Sequence, residues 1–249
     1  MKKLTQQIVE LAYKNKEGHI GSSLSVLDIL NVAYQYFIKE HQEPNRNRLI
    51  LSKGHASLGL YVVLERYGLL QSDIGDFAKF DSDLGGHPSD KLFAVEASTG
   101  SLGHGLPLAV GMAMGYKIQN FEKRIYVIVG DGELNEGSNW EAFLVAAHHN
   151  LNNLTCIIDY NRSNDRALKL DNLVNKMSSF SWNCIEIDGH NHDDIKFGLT
   201  VADEIRPTCI IANTIKGHGI SFMENNPEWH HKCPSEEDLV KILQELEDK

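Results

Sequence analysis

Ile125-Tyr126-Val127-Ile128-Val129-Gly130-Asp131-Gly132 is a β-branched apolar run that stops at a carboxylate set between two glycines. It leads into Glu133-Leu134-Asn135-Glu136-Gly137, a helical pattern at 138–149, a second apolar run at 154–158 and then Asp159-Tyr160-Asn161. Both runs are short and bounded by turn-forming residues, which marks buried strands. Two further runs of this kind lie at 184–187 and 208–212. Helical patterns at 22–38, 57–67, 105–119, 138–149 and 236–247 fall before or between them. The alternation predicts an α/β fold with a doubly wound, mostly parallel sheet.

Composition narrows the class. Hydrophobic residues at 42% and charged residues at 23% of 249 are ordinary for a globular enzyme-sized chain. A net charge of −10 and a pI near 5.6 exclude a general nucleic-acid or anionic-membrane binder, which needs clustered Lys and Arg. Any phosphate site must then be local. Residues 1–13 carry charges and amides through their apolar positions, unlike a signal peptide, so a cytoplasmic location is expected. The most apolar stretch, 105–116, is short of the roughly 20 residues needed to cross a bilayer. Cys156, Cys184, Cys209 and Cys233 form no C-x-x-C pair and read as free thiols. Gly111 and Gly115, four apart on the 105–119 helix, are expected to let another backbone or a sheet approach closely. Segments 81–88 and 162–175 are polar enough to be long loops.

The chemistry sits at the strand ends. A carboxylate directly after a buried strand, with glycines that let a diphosphate approach the backbone, suits Mg2+ or Ca2+ holding phosphate oxygens. Asp131 would be the anionic ligand, with Asn161 and the carbonyl of Ser163 as neutral ones. Gly-Asp-Gly alone is also an ordinary strand-end turn. Asn161, thirty positions on and at the end of the next strand, makes the pair far more specific.

This arrangement resembles the metal motif of thiamine-diphosphate enzymes. Lys16-Glu17-Gly18-His19-Ile20-Gly21-Ser22-Ser23, Leu51-Ser52-Lys53-Gly54-His55-Ala56-Ser57, Gly85-Gly86-His87-Pro88 and Glu228-Trp229-His230 narrow the likeness to the transketolase family, over nearly the whole chain. The run from Gly130 to Ala142 and that from Phe222 to His230 are most similar to separately encoded N-terminal transketolase subunits. The resemblance implies a single diphosphate-binding domain over 1–249 with a C-terminal helical extension. Catalytic roles fall to His19, His87 and His230, which would line the funnel to the thiazolium ring. Cofactor contacts fall to His55, Gly100, Ser101, Leu102, Gly132, Glu136, Asn161 and His230, and metal binding to Asp131, Asn161 and Ser163. Imidazole suits a reaction that forms and discharges alkoxides near neutral pH. Glu136 either links cofactor sites across an interface or complements a helix N-terminus. His41, His148, His149, His190 and His192 match no motif and read as structural.

The pyrimidine-binding and C-terminal domains of a full-length transketolase have no counterpart in these 249 residues. The resemblance therefore implies that the partner is a C-terminal transketolase subunit, supplying the glutamate that activates the aminopyrimidine, in an α2β2 assembly acting on sugars or sugar phosphates. Three departures from the family pattern stand near the cofactor: Arg162 for a small glycine, His218 for lysine and His231 for glycine. They suggest a shifted substrate range, such as a modified or nucleotide-linked sugar. The competing readings are an alpha-type subunit of a 2-oxoacid dehydrogenase, which lacks this histidine pattern, and a non-catalytic assembly subunit, which would not need to retain every ligand.

Overall fold

Five strands, Arg48–Leu51 (β1), Ile125–Gly130 (β2), Leu154–Tyr160 (β3), Asn183–Asp188 (β4) and Thr208–Asn213 (β5), form one sheet in the order β1-β2-β3-β5-β4. Every pairing is parallel. The computed structural model describes residues 1–39, 41–166 and 168–248, so Ala167 of the polar 162–175 loop lies outside the description. Parallel strands need cover on both faces, and their side chains alternate accordingly. Ile125, Val127 and Val129 of β2 enter one core, while Tyr126 and Ile128 enter the other.

Helices Lys2–Asn15 (α1), Ile20–Tyr36 (α2), Ser57–Arg66 (α3), His192–Thr200 (α7) and Glu236–Glu247 (α8) cover the first face through residues such as Leu4, Leu24, Tyr61, Ile195 and Ile242. The second face is covered by Gly105–Ile118 (α4), Gly137–His148 (α5) and Leu173–Ser179 (α6), through Leu106, Phe143 and Met177. The sheet is thus doubly wound. Helix α8 begins with a reciprocal cap, Ser235 Oγ accepting from the Asp238 amide while Asp238 accepts from the Ser235 amide, and packs on α1. Among the described residues no helix is long and apolar enough to cross a membrane.

The four strands read from sequence are present, and β1 is added to them. Its four residues precede Ser52-Lys53 and are too short to stand out as a run. Helix α1 hides behind its polar positions, although Leu4, Ile8, Leu11 and Ala12 fall on one buried side. Helix α6 begins at Leu173, inside the segment expected to be a loop, because Asn172 caps it by accepting from the Asn175 amide. All four cysteines are free, and Cys156, Cys209 and Cys184 form one in-register row across β3, β5 and β4.

Chain order places the site. From β3 the chain skips one position to β4 and returns to β5 between them. Because all strands are parallel, their C-terminal ends share one edge, and the segments after β1, β2, β3 and β5 meet there. Helix α2 crosses beside that edge with His19 as its N-cap and Ser22, Ser25 and Asp28 spaced three apart along one side.

The two α4 glycines do not behave as expected within this chain. A Cβ built on Gly111 meets nothing within 4 Å, and one on Gly115 meets only the Gln119 side chain at 4.0 Å. Gly111 is exposed and Gly115 half-buried, on a helix that also exposes Leu108 and Ile118. The close approach occurs instead at Gly105, where a Cβ would stand 2.7 Å from Ser52 Cα. In the isolated chain Gly105→Ala should therefore cost about 1–3 kcal/mol by overpacking. Gly111→Ala should add about 0.5–1 kcal/mol, since only helix propensity changes there. Urea unfolding midpoints moving in opposite directions for the two variants check this, and equal shifts would contradict it.

Candidate active site

The shared edge is built on a buried ion pair. Lys53, straight after β1, reaches the carboxylate of Asp159 in β3, and the two are 1% and 0% exposed. Two unpaired charges could not be held there, so the surrounding groups all point at the pair. Ser25 Oγ of α2 donates to both Asp159 oxygens at 2.7 and 2.9 Å, Thr214 after β5 donates to Oδ1, and Lys53 Nζ also donates to the Ser22 carbonyl at 3.2 Å. Burial alone would raise the Asp159 pKa, but the Lys53 ammonium and these hydroxyls hold it below the ordinary carboxylate range. Asn161 joins by donating Nδ2–H to Ser25 Oγ at 2.9 Å.

Asp131 stands at the end of β2, 2% exposed, and among the described residues it bonds to neutral groups only. Gly132 N–H donates at 2.7 Å, Ser163 Oγ at 3.2 Å and Asn164 N–H at 3.4 Å. Burial, and then the Asp159 charge, push its pKa up. Asn161 Oδ1 faces the same loop, accepting from Ser163 N–H at 3.1 Å. A carboxylate, an amide oxygen and a serine gathered in this way form a hard, oxygen-only donor set that fits a divalent cation. Ser163 meets Asp131 through its hydroxyl. A Cβ on Gly132 would meet only Asn164 Oδ1, at 4.0 Å, so space beside Asp131 is open.

Arg162, between these ligands, has φ 61°, the left-handed region that glycine enters freely. The position thus accommodates glycine best, and here an arginine accepts the strain, with its guanidinium 5.0 Å over the Tyr160 ring.

Glu133 secures the opposite wall. Buried at 2% exposure, it accepts from Ser52 Oγ, from Gly103 N–H at 2.9 Å and from Gly130 N–H at 3.3 Å. That fastens the 99–104 loop to β1 and β2. Gly100, at φ 154°, lies against the His87 ring, where a Cβ would come within 2.9 Å.

The result is a cavity of about 290 Å³ lined by His19, His55, His87 and His230 together with Lys53, Asp131, Asn161, Ser163 and Lys216, with Gly100, Leu102 and Gly132 in its wall. His19 occupies a left-handed conformation at φ 59°, with its ring 5.3 Å from His55, 5.8 Å from His230 and 4.3 Å from His231. Lys216 Nζ donates to His230 Nδ1 at 2.8 Å. Burial, reinforced by the positive charge of His231, His230, His87 and Lys216, lowers the His19 pKa to about 4. Burial, followed by the charges of Lys53, His19 and Lys216, takes His55 to about 2. Burial and Lys53 bring Lys216 to about 8. Near pH 7 His19 and His55 are therefore neutral imidazoles, ready to donate or accept, beside the Lys216 ammonium.

Ser101 and Glu136 are the expected residues that do not line this cavity. Glu136 is the exposed N-cap of α5, makes no capping bond and packs against Gly103. His218 stacks on His190 at 3.6 Å, and His231 touches His19 and the backbone of Gly18. His41 stacks on Tyr34, and His148 and His149 lie on the surface at the end of α5. Sequence reasoning missed Lys53, Asp159, Glu133 and Lys216 as site residues. Each lies within a segment singled out for a neighbouring residue, and the available signal was a charge within three residues of the C-terminal end of a buried strand.

Known proteins share this sequence pattern and fold. Residues 2–246 match the family model described as transketolase, thiamine diphosphate binding domain. One subunit of the apulose-4-phosphate transketolase from Actinobacillus succinogenes is 40% identical, covering 93% of this chain and 88% of that protein. Its namesake from Phocaeicola vulgatus is 35% identical over 98% of this chain and 91% of that protein. Human transketolase is 37% identical over 92% of this chain but only 38% of its own length. The solved transketolase of Campylobacter jejuni superposes with a TM-score of 0.86 at 31% identity, covering 99% of this chain and 41% of that one. The chain thus spans about two fifths of the single-chain transketolases it matches.

The depressed histidines set a pH dependence. An unfolded histidine titrates near 6.5. Between there and about 4 the unfolded chain binds a proton that folded His19 refuses, so stability rises with pH across that window and is lost as pH falls through it. Urea unfolding should show a less stable chain at pH 5 than at pH 7. His19→Asn, which cannot titrate and tolerates the left-handed backbone, should narrow the gap. An unchanged gap in the variant would contradict the burial argument.

Proposed function

Because the chain belongs to the transketolase thiamine diphosphate binding family, we propose that it is the diphosphate-binding half of an enzyme moving a two-carbon ketol unit from a ketose donor to an aldose acceptor. The observation that carries this reading is that one cavity gathers His19, His55, His87 and His230 with Asp131, Asn161 and two buried lysines. The 249 residues act as one diphosphate-binding domain whose C-terminal helix docks on α1. Relatives covered nearly end to end are each named as one subunit of their enzyme, which supports a partner chain bearing the pyrimidine-binding part, in an α2β2 assembly. The family match favours this over a 2-oxoacid dehydrogenase subunit. Free thiols fit a cytoplasmic enzyme.

Thiamine diphosphate supplies, when bound, a carbon nucleophile and electron sink for breaking a bond beside a ketone. The chain's own residues do the rest. Asp131, Asn161 and Ser163 would hold Mg2+ or Ca2+, and His55 and Lys216 would serve as donors to a diphosphate. Gly132 would leave room for it, and Gly100 and Leu102, also in the cavity wall, would supply backbone contacts to the cofactor. Ser101 and Glu136 lie outside this wall, Glu136 on the side facing the partner. His19, His87 and His230 donate to, or take protons from, the hydroxyls of the sugar. Lys216 fixes the role of His230, because an imidazole accepting at Nδ1 carries its proton on Nε2. His231 crowds His19 and Arg162 reshapes the metal loop, two changes that bear on substrate choice. Sugar phosphates, the class in the names of the two split relatives, are the proposed substrates.

Co-expression with the candidate C-terminal partner chain, followed by assay against ketose donors and aldose acceptors, tests the reading. The single chain should be inactive and the mixture active, saturating near equal stoichiometry. His19→Ala in the complex should lower turnover by about 100- to 10,000-fold with cofactor affinity nearly intact. Turnover by the chain alone, or normal turnover by the variant, would overturn the assignment.

A further inference from the structure

A second group of histidines lies outside the cavity. Asp28, on α2 and only 8% exposed at its side chain, accepts from His190 Nδ1 at 2.9 Å through Oδ2 and from His192 Nε2 at 2.8 Å through Oδ1. His218 stacks on the His190 face at 3.6 Å and 18°. Ligand atoms of Asp28, His190 and His218 approach within 4.8 Å of one another, which by distance alone resembles a metal site. The other nitrogen of His190 decides against it. Nε2 accepts the Ile215 backbone N–H at 2.9 Å, so the ring proton is on Nδ1, toward Asp28. A metal on Nδ1 would move that proton to Nε2, where it would face another N–H. Nearly parallel rings also cannot both direct in-plane lone pairs at one ion.

What the arrangement does connect is α2 to the cavity. Ile215, held by His190, is followed by Lys216, whose ammonium donates to His230 Nδ1. Gly217 N–H then bonds the Gly21 carbonyl at 3.0 Å, so the 215–217 turn is fastened to α2 at both ends. Only the His190 end fixes the residue immediately before the lysine. A backbone N–H at this half-buried place needs an acceptor, and an aspartate-oriented imidazole supplies one in a defined tautomer. We propose that Asp28 and His190 are positioning residues that aim Lys216 at His230 and, through it, at the diphosphate. The inference rests on reading the cavity as the diphosphate site.

Two measurements test it. In the full chain labelled with 15N-histidine, imidazole shifts should show His190 protonated on Nδ1 and His230 unprotonated there. In His190→Ala the His230 Nδ1 signal should move as Lys216 disengages. In the complex with its partner, calorimetry should show His190→Ala weakening thiamine diphosphate on the order of tenfold. In a Lys216→Met background the same change should cost less than about twofold, because residues acting through one another do not add. His190→Gln, which keeps a donor for Asp28 and an acceptor for Ile215, should recover most of the loss, and Asp28→Asn serves if the alanine variant does not fold. Additive losses, an unmoved His230 signal, or stoichiometric zinc uptake that vanishes in His190→Ala would each overturn the proposal. Failure of the unaltered complex to bind the cofactor would instead count against the functional reading itself.

Discussion

Lys53 and Asp159 form the contact on which the site depends. Both are excluded from water, and removing a carboxylate and an ammonium from solvent costs several kcal/mol for each ion unless geometry and further hydrogen bonds offset it. Here the compensation comes from four different places: the end of β1 carries the lysine, β3 the aspartate, α2 its Ser25 hydroxyl and Ser22 carbonyl, and the segment after β5 Thr214. None of these groups can move away without stranding a buried charge. The pair therefore does for the strand ends what an apolar core does for the sheet, and it fixes where Asp131, Asn161 and Lys216 stand relative to one another.

Electrostatics then divides the cavity. Burial, and then the neighbouring cationic groups, lower the proton affinity of His19 and His55, so both stay neutral. In the same cavity Asp131 is a buried carboxylate whose local partners are neutral donors. Such a field attracts a polyanion carrying a divalent cation, since the anion answers the lysines and the cation answers Asp131. Neutral histidines beside it can exchange protons with hydroxyl groups without adding charge. In the proposed assembly the partner closes the side on which His87 and His230 remain exposed.

Much of this was legible in the residues. Four strands were visible because apolar, β-branched runs bounded by turn formers have few other uses, and Asp131 and Asn161 stood at two successive strand ends. The histidines were legible through their resemblance to a family, not through spacing. β1 was lost because four residues are too few to show a pattern, and α6 because a helix this short is set by its Asn172 cap. The buried ion pair was illegible for a deeper reason: Lys53 and Asp159 are 106 positions apart and only the parallel sheet brings them together. Gly111 shows the converse, since its spacing with Gly115 predicted a neighbour that this chain does not provide.

The central claim is that Asp131 anchors a cation-bridged diphosphate in a cavity completed by a second chain. Calorimetric titration of thiamine diphosphate into the assembled complex, with and without Mg2+, tests it most directly. The account predicts heat of binding only with the metal present, loss of that binding in Asp131→Ala, and a smaller weakening in Asn161→Ala, whose amide oxygen contributes less to a hard cation than a carboxylate does. Undiminished, metal-independent affinity in Asp131→Ala would contradict it.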